Sequence, residues 1–131
     1  EWRRETVQQA PLALFEELRD GDMLFVDSSH ILMPGTDVDH VLNRILPVLK
    51  AGVLVHLHDI FLPDRYPAEW DWRGFNEQLG VLALLGGGAW APLFASRYVV
   101  TRMAAEIANS AVARLPLPMG AIESSLWLRK L

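Results

Sequence analysis

The chain has 131 residues, of which 51% are hydrophobic and 21% charged, and its formal net charge is −4. This balance is typical of a folded domain with a substantial core, and it excludes a disordered or collagen-like chain. The absence of cysteine excludes a disulfide scaffold, thiolate metal ligands and a cysteine nucleophile. The acidic balance argues against nucleic acid and anionic membranes as general partners.

The first half of the chain is predicted to contain two helices and a strand. Residues 11–19 carry apolar side chains at helical spacing. Residues 23–26 form a short apolar run, typical of a strand that is buried on both faces. Thr36 or Asp37 is predicted to cap a second, apolar helix, and Pro47 is predicted to kink that helix or end it early.

The second half continues the alternation of strands and helices. Strands are predicted over residues 52–59, 89–94 and 123–131, and helices over residues 75–85 and 98–115. Strands that alternate with helices indicate an α/β fold with a parallel sheet. In such sheets, ligands bind beyond the carboxyl ends of the strands.

An uncharged stretch, residues 78–96, is nearly long enough to cross a bilayer. A glycine triplet at residues 86–88 and a proline at residue 92 favour a helix end, a turn and a strand instead. We expect no signal peptide, because no apolar region follows the arginines near the start of the chain. The sequence therefore predicts a cytoplasmic protein that has no membrane partner.

Polar residues follow two of the predicted strands. The first strand ends in Asp27 and His30, and the second in His58 and Asp59. If the two strands are neighbours, Asp27, His58 and Asp59 converge, and they suit a divalent cation such as Mg²⁺, Mn²⁺ or Zn²⁺. His30 then has the chemistry of a general base. The structural alternative is that these polar groups only cap loops and helix starts.

The other two histidines are given structural interpretations. His56 lies two residues before His58, so a regular strand places both on the same face of the sheet. We interpret His56 as a buried, hydrogen-bonded histidine of the core. His40 lies within the second predicted helix, and we interpret it as an exposed residue.

Two motifs carry a family resemblance. Residues 27–30 read DSSH and residues 58–61 read HDIF, and they lie within the longer similar segments 21–38 and 46–61. These segments resemble the C-terminal half of class I S-adenosylmethionine-dependent methyltransferases. Residues 75–78 and 124–130 resemble the same family, so that the likeness extends over most of the chain from about Val7. Either motif alone is a weak signal, whereas their joint occurrence at this spacing is fairly specific.

The resemblance implies the C-terminal half of a Rossmann-like methyltransferase sheet with flanking helices. Residues 23–26, 53–57 and 89–94 would be strands four, five and six, which are parallel, and residues 125–129 would be the antiparallel strand seven. The glycine-rich turn that binds the donor in this family does not occur in the sequence. Residues 1–131 are therefore expected to be a partial methyltransferase domain, whose N-terminal, donor-binding half lies upstream.

The likeness is strongest to the subgroup that carries these two motifs. Metal-dependent sugar O-methyltransferases of macrolide biosynthesis are relatives with a similar layout, and the resemblance to them implies roles for single residues. Asp27 and Asp59 match metal-ligand positions, and His30 matches the base that deprotonates the acceptor hydroxyl. His58 stands where those relatives have a carboxylate, so the predicted metal ligands here are Asp27, His58 and Asp59. The donor, S-adenosylmethionine, is predicted to contact Asp27 and Gln9; the alternative for Gln9 is an exposed loop amide.

The sequence thus predicts methyl transfer from S-adenosylmethionine to a hydroxyl of a small molecule, with or without a divalent cation. The loop at residues 62–72 would form a lid or acceptor wall, or would only pack against the sheet. One alternative is a non-catalytic, truncated methyltransferase-like domain that serves in assembly. Another is a small metal-dependent hydrolase that uses Asp27, His58 and Asp59. Strand 23–26 would be an unpaired apolar edge, which predicts a homo-oligomer or another chain covering it.

Overall fold

The computed structural model describes residues 2–131 as four strands with helices around them. The strands are β1 (Met23–Val26), β2 (Leu54–Leu57), β3 (Trp90–Ala95) and β4 (Leu126–Lys130). The α-helices are α1 (Ala13–Glu16), α2 (Asp37–His40), α3 (Leu46–Val48), α4 (Glu77–Gly86), α5 (Ser96–Arg102) and α6 (Ala104–Ile107). Short 3₁₀ helices occupy Val7–Gln9, Ala68–Arg73 and Val112–Arg114.

The four strands form one mixed sheet in the order β1-β2-β4-β3. β1 and β2 are parallel, and β4 runs antiparallel to both β2 and β3. Three strands therefore point one way and the last strand points the other way, as predicted. The strand bounds that the resemblance implies agree with the structure to within one residue, whereas the runs proposed from the pattern alone at residues 52–59 and 123–131 are longer than the strands observed. The α/β fold class is confirmed.

The two faces of the sheet differ in burial. Because side chains alternate along a strand, the register assigns each residue to one face. The covered face carries six residues that pack into the main core: Leu24, Val26, Val55, Leu57, Leu126 and Leu128. The open face carries Met23, Phe25, Leu54, His56 and Trp127. Met23 and Phe25 are more than half exposed, whereas Val55, Leu57 and Leu128 are inaccessible to solvent.

The helix after β1 covers the buried face and is capped as predicted. The Thr36 hydroxyl accepts a hydrogen bond from the Asp39 backbone N–H at 3.2 Å. Between α2 and α3 lies a π-helical segment, Val41–Ile45, and the helix ends directly after Pro47. Proline has no N–H to donate and its ring crowds the preceding turn, which disturbs the regular α-helical hydrogen bonds. The early end predicted at Pro47 is therefore confirmed.

Two helix predictions need correction. The single helix over residues 98–115 was wrong, because α5 ends at Arg102 and is followed by the short α6 and a 3₁₀ turn. The Thr101 hydroxyl donates to the Arg97 carbonyl at 2.6 Å, a bond that weakens the helix locally. Beyond it, α6 buries none of its residues and gains no support from tertiary packing. The helix over residues 11–19 is likewise reduced to Ala13–Glu16.

The uncharged stretch at residues 78–96 divides as predicted into most of α4, a glycine turn and β3. Across residues 2–131, every helix is too short or too polar to span a bilayer. Helix α4 packs through Gly80 against Leu42 of the π-helical segment and against Leu32. A Cβ atom on Gly80 would lie 2.7 Å from Leu42 Cδ1 and 2.8 Å from Leu32 Cδ2, so only glycine allows this approach without a shift. This packing holds the start of α4 beside the end of β1.

Candidate active site

The carboxyl ends of β1 and β2 lie side by side. The register pairs Val26 with Leu57, and the His58 backbone N–H donates to the Val26 carbonyl at 2.9 Å. The residues that follow each strand, Asp27 on one and Asp59 on the other, are therefore brought together. The predicted convergence of the two strand ends is found in the structure.

His30 lies between these two carboxylates. Its Nε2 atom is 3.5 Å from Asp27 Oδ1 and 3.6 Å from Asp59 Oδ2. The His30 side chain is 6% exposed and that of Asp59 is 14% exposed, whereas that of Asp27 is 58% exposed. A buried imidazole thus presents one ring nitrogen to two acids, one of them open to solvent. This geometry suits proton transfer to and from a ligand at the strand ends.

The opposite nitrogen of the same ring is bound by Glu77, the first residue of α4. Glu77 Oε2 lies 2.8 Å from His30 Nδ1 and also accepts a hydrogen bond from Ser28 Oγ at 2.8 Å. Glu77 is only 1% exposed, which is rare for a carboxylate. Sequence reasoning included residues 75–78 in the resemblance but gave Glu77 no role. The one feature of the sequence that could have indicated a role is that Glu77 is a lone acid directly before an apolar helical run, but it lies far from His30 along the chain.

The surroundings of His30 raise its pKa above the ordinary value of 6.5. Burial is the largest single influence and acts in the opposite direction, because it disfavours the charged ring. The hydrogen bond and the negative charge of Glu77 outweigh it, together with the charges of Asp59 and Asp27. His30 is therefore a stronger base than a free imidazole.

Two residues of the cluster adopt left-handed backbone conformations that only glycine adopts freely. The φ angle is 60° at His30 and 52° at Asp59. The first is held by the backbone N–H groups of Asn76 and Glu77, which donate to the His30 carbonyl at 3.0 and 3.2 Å. The second is held by Ser124, whose hydroxyl donates to Asp59 Oδ1 at 2.8 Å. Such strained positions cluster at functional sites and are retained where the surroundings enforce them.

His58 lies at the edge of the cluster. Its Nε2 atom is 3.6 Å from Asp59 Oδ1, the carboxylate oxygen that faces away from His30, and its side chain is 43% exposed. Among residues 2–131, no group of three or more His, Asp or Glu side chains is arranged to hold a metal ion. Asp27, His58 and Asp59 are thus not arranged as a preformed metal site, and a divalent cation stays a prediction from the sequence.

The interpretation of His56 was right about burial and wrong about hydrogen bonding. His56 is 5% exposed, but its Nδ1 atom is buried without a partner. Its ring stacks on Phe25 at 4.3 Å and meets the edge of Trp127 at 4.7 Å. Burial, followed by the nearby charge of His58, lowers the pKa of His56. His40 also departs from expectation, since it is half-buried and its Nε2 atom has no partner.

The residues predicted to contact the methyl donor lie apart from each other. Gln9 is exposed, and its Oε1 atom accepts a hydrogen bond from the Thr6 backbone N–H at 3.1 Å, which is a structural cap. Asp27 borders a cavity of about 240 Å³ that is also lined by Val7, Ser28 and Asp37. Pockets for whole small molecules usually have about 300–1,000 Å³. This cavity is smaller than that range.

Aromatic side chains of the loop after β2 pack beside His30. Phe75 lies 4.6 Å from the His30 ring, and both Tyr66 and Trp70 contact Phe75 edge to face, with centroids 5.8 and 5.9 Å apart. Trp72, in contrast, is 80% exposed. A cavity of about 240 Å³ is lined by Arg65, Tyr66, Trp70 and Phe75, among others. These aromatics therefore both pack the loop and line a cavity, and Phe75 separates this cavity from the ring of His30, which does not line it.

Comparisons with protein-family models, with curated proteins and with solved structures found no match to this chain.

Proposed function

We propose that this chain is the acceptor-activating part of an S-adenosylmethionine-dependent O-methyltransferase that acts on a hydroxyl of a small molecule. The proposal is supported by the residues of the DSSH and HDIF motifs, which supply Asp27, His30 and Asp59 to one cluster. It is also supported by the location of that cluster, because ligands of α/β sheets bind beyond the carboxyl ends of parallel strands.

The observation that carries the proposal is the approach of Asp27 and Asp59 to Nε2 of His30. In the proposed reaction, Nε2 accepts the proton of the acceptor hydroxyl as its oxygen attacks the methyl carbon. The two carboxylates stabilise the imidazolium that results. S-adenosylmethionine, when bound, supplies a methyl group on a sulfonium and leaves as the neutral thioether. Asp27 is the residue here that would border both donor and acceptor.

The acceptor is proposed to lie against the aromatic loop. Phe75 contacts His30, and Tyr66 and Trp70 wall the adjoining cavity. Flat, apolar ring faces suit a sugar ring or a phenol, and they exclude water from the proton transfer. Excluding water protects the attacking oxygen from competition and strengthens the charge interactions around His30.

The test is methyl transfer by the natural protein that contains these 131 residues, with isotope-labelled S-adenosylmethionine and a pool of hydroxylated small molecules. We expect His30→Gln to lower kcat by about 10²–10⁴-fold, which is the usual contribution of a general base. His40→Gln is the matched control and should leave kcat unchanged. Absence of donor binding by the natural protein in calorimetry would overturn the proposal. The 131 residues alone are expected to bind the donor weakly.

We propose separately that a divalent cation binds at Asp59, and this proposal has its own test. Titration of the natural protein with Mg²⁺, Mn²⁺ and Zn²⁺ by calorimetry should give binding that Asp59→Ala abolishes. Asp64→Ala, which removes an exposed carboxylate that pairs with Arg102, is the control. Binding that is unchanged in Asp59→Ala would rule out this metal assignment.

A non-catalytic role in assembly is the second candidate, and the open face of the sheet favours it. Met23 and Phe25 are 52% and 57% exposed, and they lie on β1, which is an edge strand. Exposed apolar edge strands pair readily with other chains. We propose that a second copy or another chain covers this edge in solution, whichever activity the protein has.

A further inference from the structure

The side chain of Glu77 is a buried acid that the proposed proton transfer does not itself require. It lies at the N terminus of α4, directly after Asn76, and is 1% exposed. Burial of a carboxylate is unfavourable unless hydrogen bonds compensate for the lost water. Within residues 2–131, its ion-pair partner is His30, and no lysine or arginine lies within salt-bridge distance of it. A buried acid paired with a histidine alone indicates a role that acts through that histidine.

We propose that Glu77 is a positioning residue that holds His30 in the tautomer with the proton on Nδ1. An ionised carboxylate accepts hydrogen bonds and cannot donate them. At 2.8 Å, Nδ1 must therefore carry the hydrogen that it shares with Glu77 Oε2. In the neutral ring the lone pair is then on Nε2, the atom that faces Asp27 and Asp59. This inference deepens the proposed function and rests on it for its catalytic meaning.

Ser28 completes the arrangement around the carboxylate. Its hydroxyl donates to Glu77 Oε2 at 2.8 Å and accepts the His30 backbone N–H at 3.0 Å. Because the single hydroxyl hydrogen is given to Glu77, it is not available to Nδ1, which lies 3.3 Å away. Nδ1 therefore has no hydrogen to accept from the serine, which favours the tautomer in which Nδ1 carries its own proton. The second residue of the DSSH motif acts with Glu77.

The backbone fixes the same ring from a second direction. The N–H groups of Asn76 and Glu77 both donate to the His30 carbonyl. The start of α4 thus binds His30 at its main chain and at its side chain. Phe75, in the same turn, packs on the ring face with a centroid distance of 4.6 Å. Rotation of the imidazole by half a turn would exchange Nδ1 with Cδ2 and so break the Glu77 contact, so the carboxylate also selects the ring orientation.

The direct test is the tautomer of His30 in the natural protein, labelled with nitrogen-15 at histidine. Long-range proton–nitrogen correlation spectra distinguish a protonated ring nitrogen from one with a lone pair, and His30→Gln identifies the His30 signals. We expect the neutral ring to carry its proton on Nδ1. A neutral ring protonated on Nε2 in the unmodified protein would overturn the inference, whether or not any variant folds.

Variants then separate the carboxylate from general disturbance of the loop. Glu77→Leu removes the acceptor, and Ser28 Oγ, 3.3 Å from Nδ1, is then free to donate to that nitrogen, so we expect the proton of the neutral ring to move to Nε2. Asp37→Asn removes another carboxylate that binds the same loop, through Ser29, and should leave the tautomer unchanged. Retention of the Nδ1–H tautomer in folded Glu77→Leu would contradict the inference.

The kinetic readout links the inference to the reaction. Glu77→Gln removes the negative charge and should lower kcat by at least about tenfold, but by less than the loss of about 10²–10⁴-fold expected when the general base itself is removed. The acceptor KM should stay the same, because buried Glu77 does not reach the acceptor. Glu77→Asp restores the charge and should recover part of kcat. If the natural protein transfers no methyl group, the proposed function fails, while the tautomer measurement still decides the role of Glu77.

Discussion

The two faces of the sheet are built from neighbouring residues of the same strands, yet their surroundings are opposite. On the covered face, Val55 and Leu57 are inaccessible to solvent and pack against the helix that follows β1. On the open face, Phe25 is 57% exposed and its main contact is a stack on His56. A single step along β1, from Val26 to Phe25, therefore leads from the core to a ring that is more than half exposed.

This difference explains where the candidate site can form. The covered face anchors β1 and β2 rigidly, so that their carboxyl ends hold Asp27 and Asp59 at fixed separation from His30. The open face contributes little to that anchoring. Parallel strands are generally covered on both faces, so the open face is the part of the domain that another surface would complete.

The largest expected effect separates the two faces by stability. Leu57→Ala on the covered face should lower the free energy of unfolding by about 2–5 kcal/mol, because it leaves a cavity in a packed core. Phe25→Ala on the open face should cost well under half of that, since the ring is already in contact with water. Urea unfolding of both variants measures the difference. Similar losses for the two substitutions would mean that the faces are equally buried in solution.

The second effect tests whether Tyr66 of the aromatic loop is as buried in solution as the structure has it. Burial, aided by the charges of Glu77 and Asp59, raises the pKa of Tyr66 from 10.0 to about 12, although the Gln78 backbone N–H opposes this. The folded state thus holds the phenol proton more tightly than the unfolded state. The stability that this contributes is complete below pH 10 and is lost as the pH rises towards 12.

Unfolding by urea across this alkaline range measures the loss. Tyr66→Phe should make the stability less dependent on pH, while Tyr98→Phe, which changes the other tyrosine, should not. An unchanged alkaline loss in Tyr66→Phe would assign the effect to other groups.

A third effect concerns the unpaired nitrogen of the open face. His56→Phe removes a buried Nδ1 that has no hydrogen-bond partner and keeps a ring to stack on Phe25. We expect stability to be unchanged or increased by up to about 1–3 kcal/mol, the penalty of an unsatisfied polar group. His56→Ala, the control, should lower stability because the stack is lost. A marked loss in His56→Phe would indicate a hidden partner for this nitrogen.

The smallest expected effect on stability is also on the open face. Phe25→Lys should reduce self-association of the protein without unfolding it, because a charged edge strand disfavours pairing with another chain. Leu115→Lys, at an apolar residue that is 66% exposed and outside the sheet, is the control. Light scattering over a range of protein concentrations measures the outcome. Association that is equally strong in Phe25→Lys would exclude this edge as the contact.

The sequence predicted the strands and the meeting of their ends because both depend on local pattern. A continuous apolar run specified β1 to the residue, and parallel neighbours necessarily bring Asp27 and Asp59 to one edge. The sequence could not supply Glu77, because its contact with His30 joins two residues that are 47 positions apart. No local pattern reports which side chain the first residue of α4 meets.

Two of the predictions that the structure corrects, the helix over residues 98–115 and the hydrogen bond of His56, have a common physical cause. Apolar spacing over residues 98–115 is typical of a helix, but helices of this length need burial to persist, and α6 buries nothing. His56 was expected to find a hydrogen bond because buried polar groups usually do. Here stacking between two aromatic rings takes the place of that bond. In both cases the deciding term is a tertiary contact rather than a local preference.

The left-handed backbone at His30 and Asp59 has a consequence for engineering. Each such residue costs about 1–3 kcal/mol of backbone strain that glycine would relieve. Substitution by glycine at either position would therefore relieve strain and offset part of the contacts that it removes. An imidazole and a carboxylate at these two positions are held against a cost in backbone free energy, which the hydrogen bonds around them must offset.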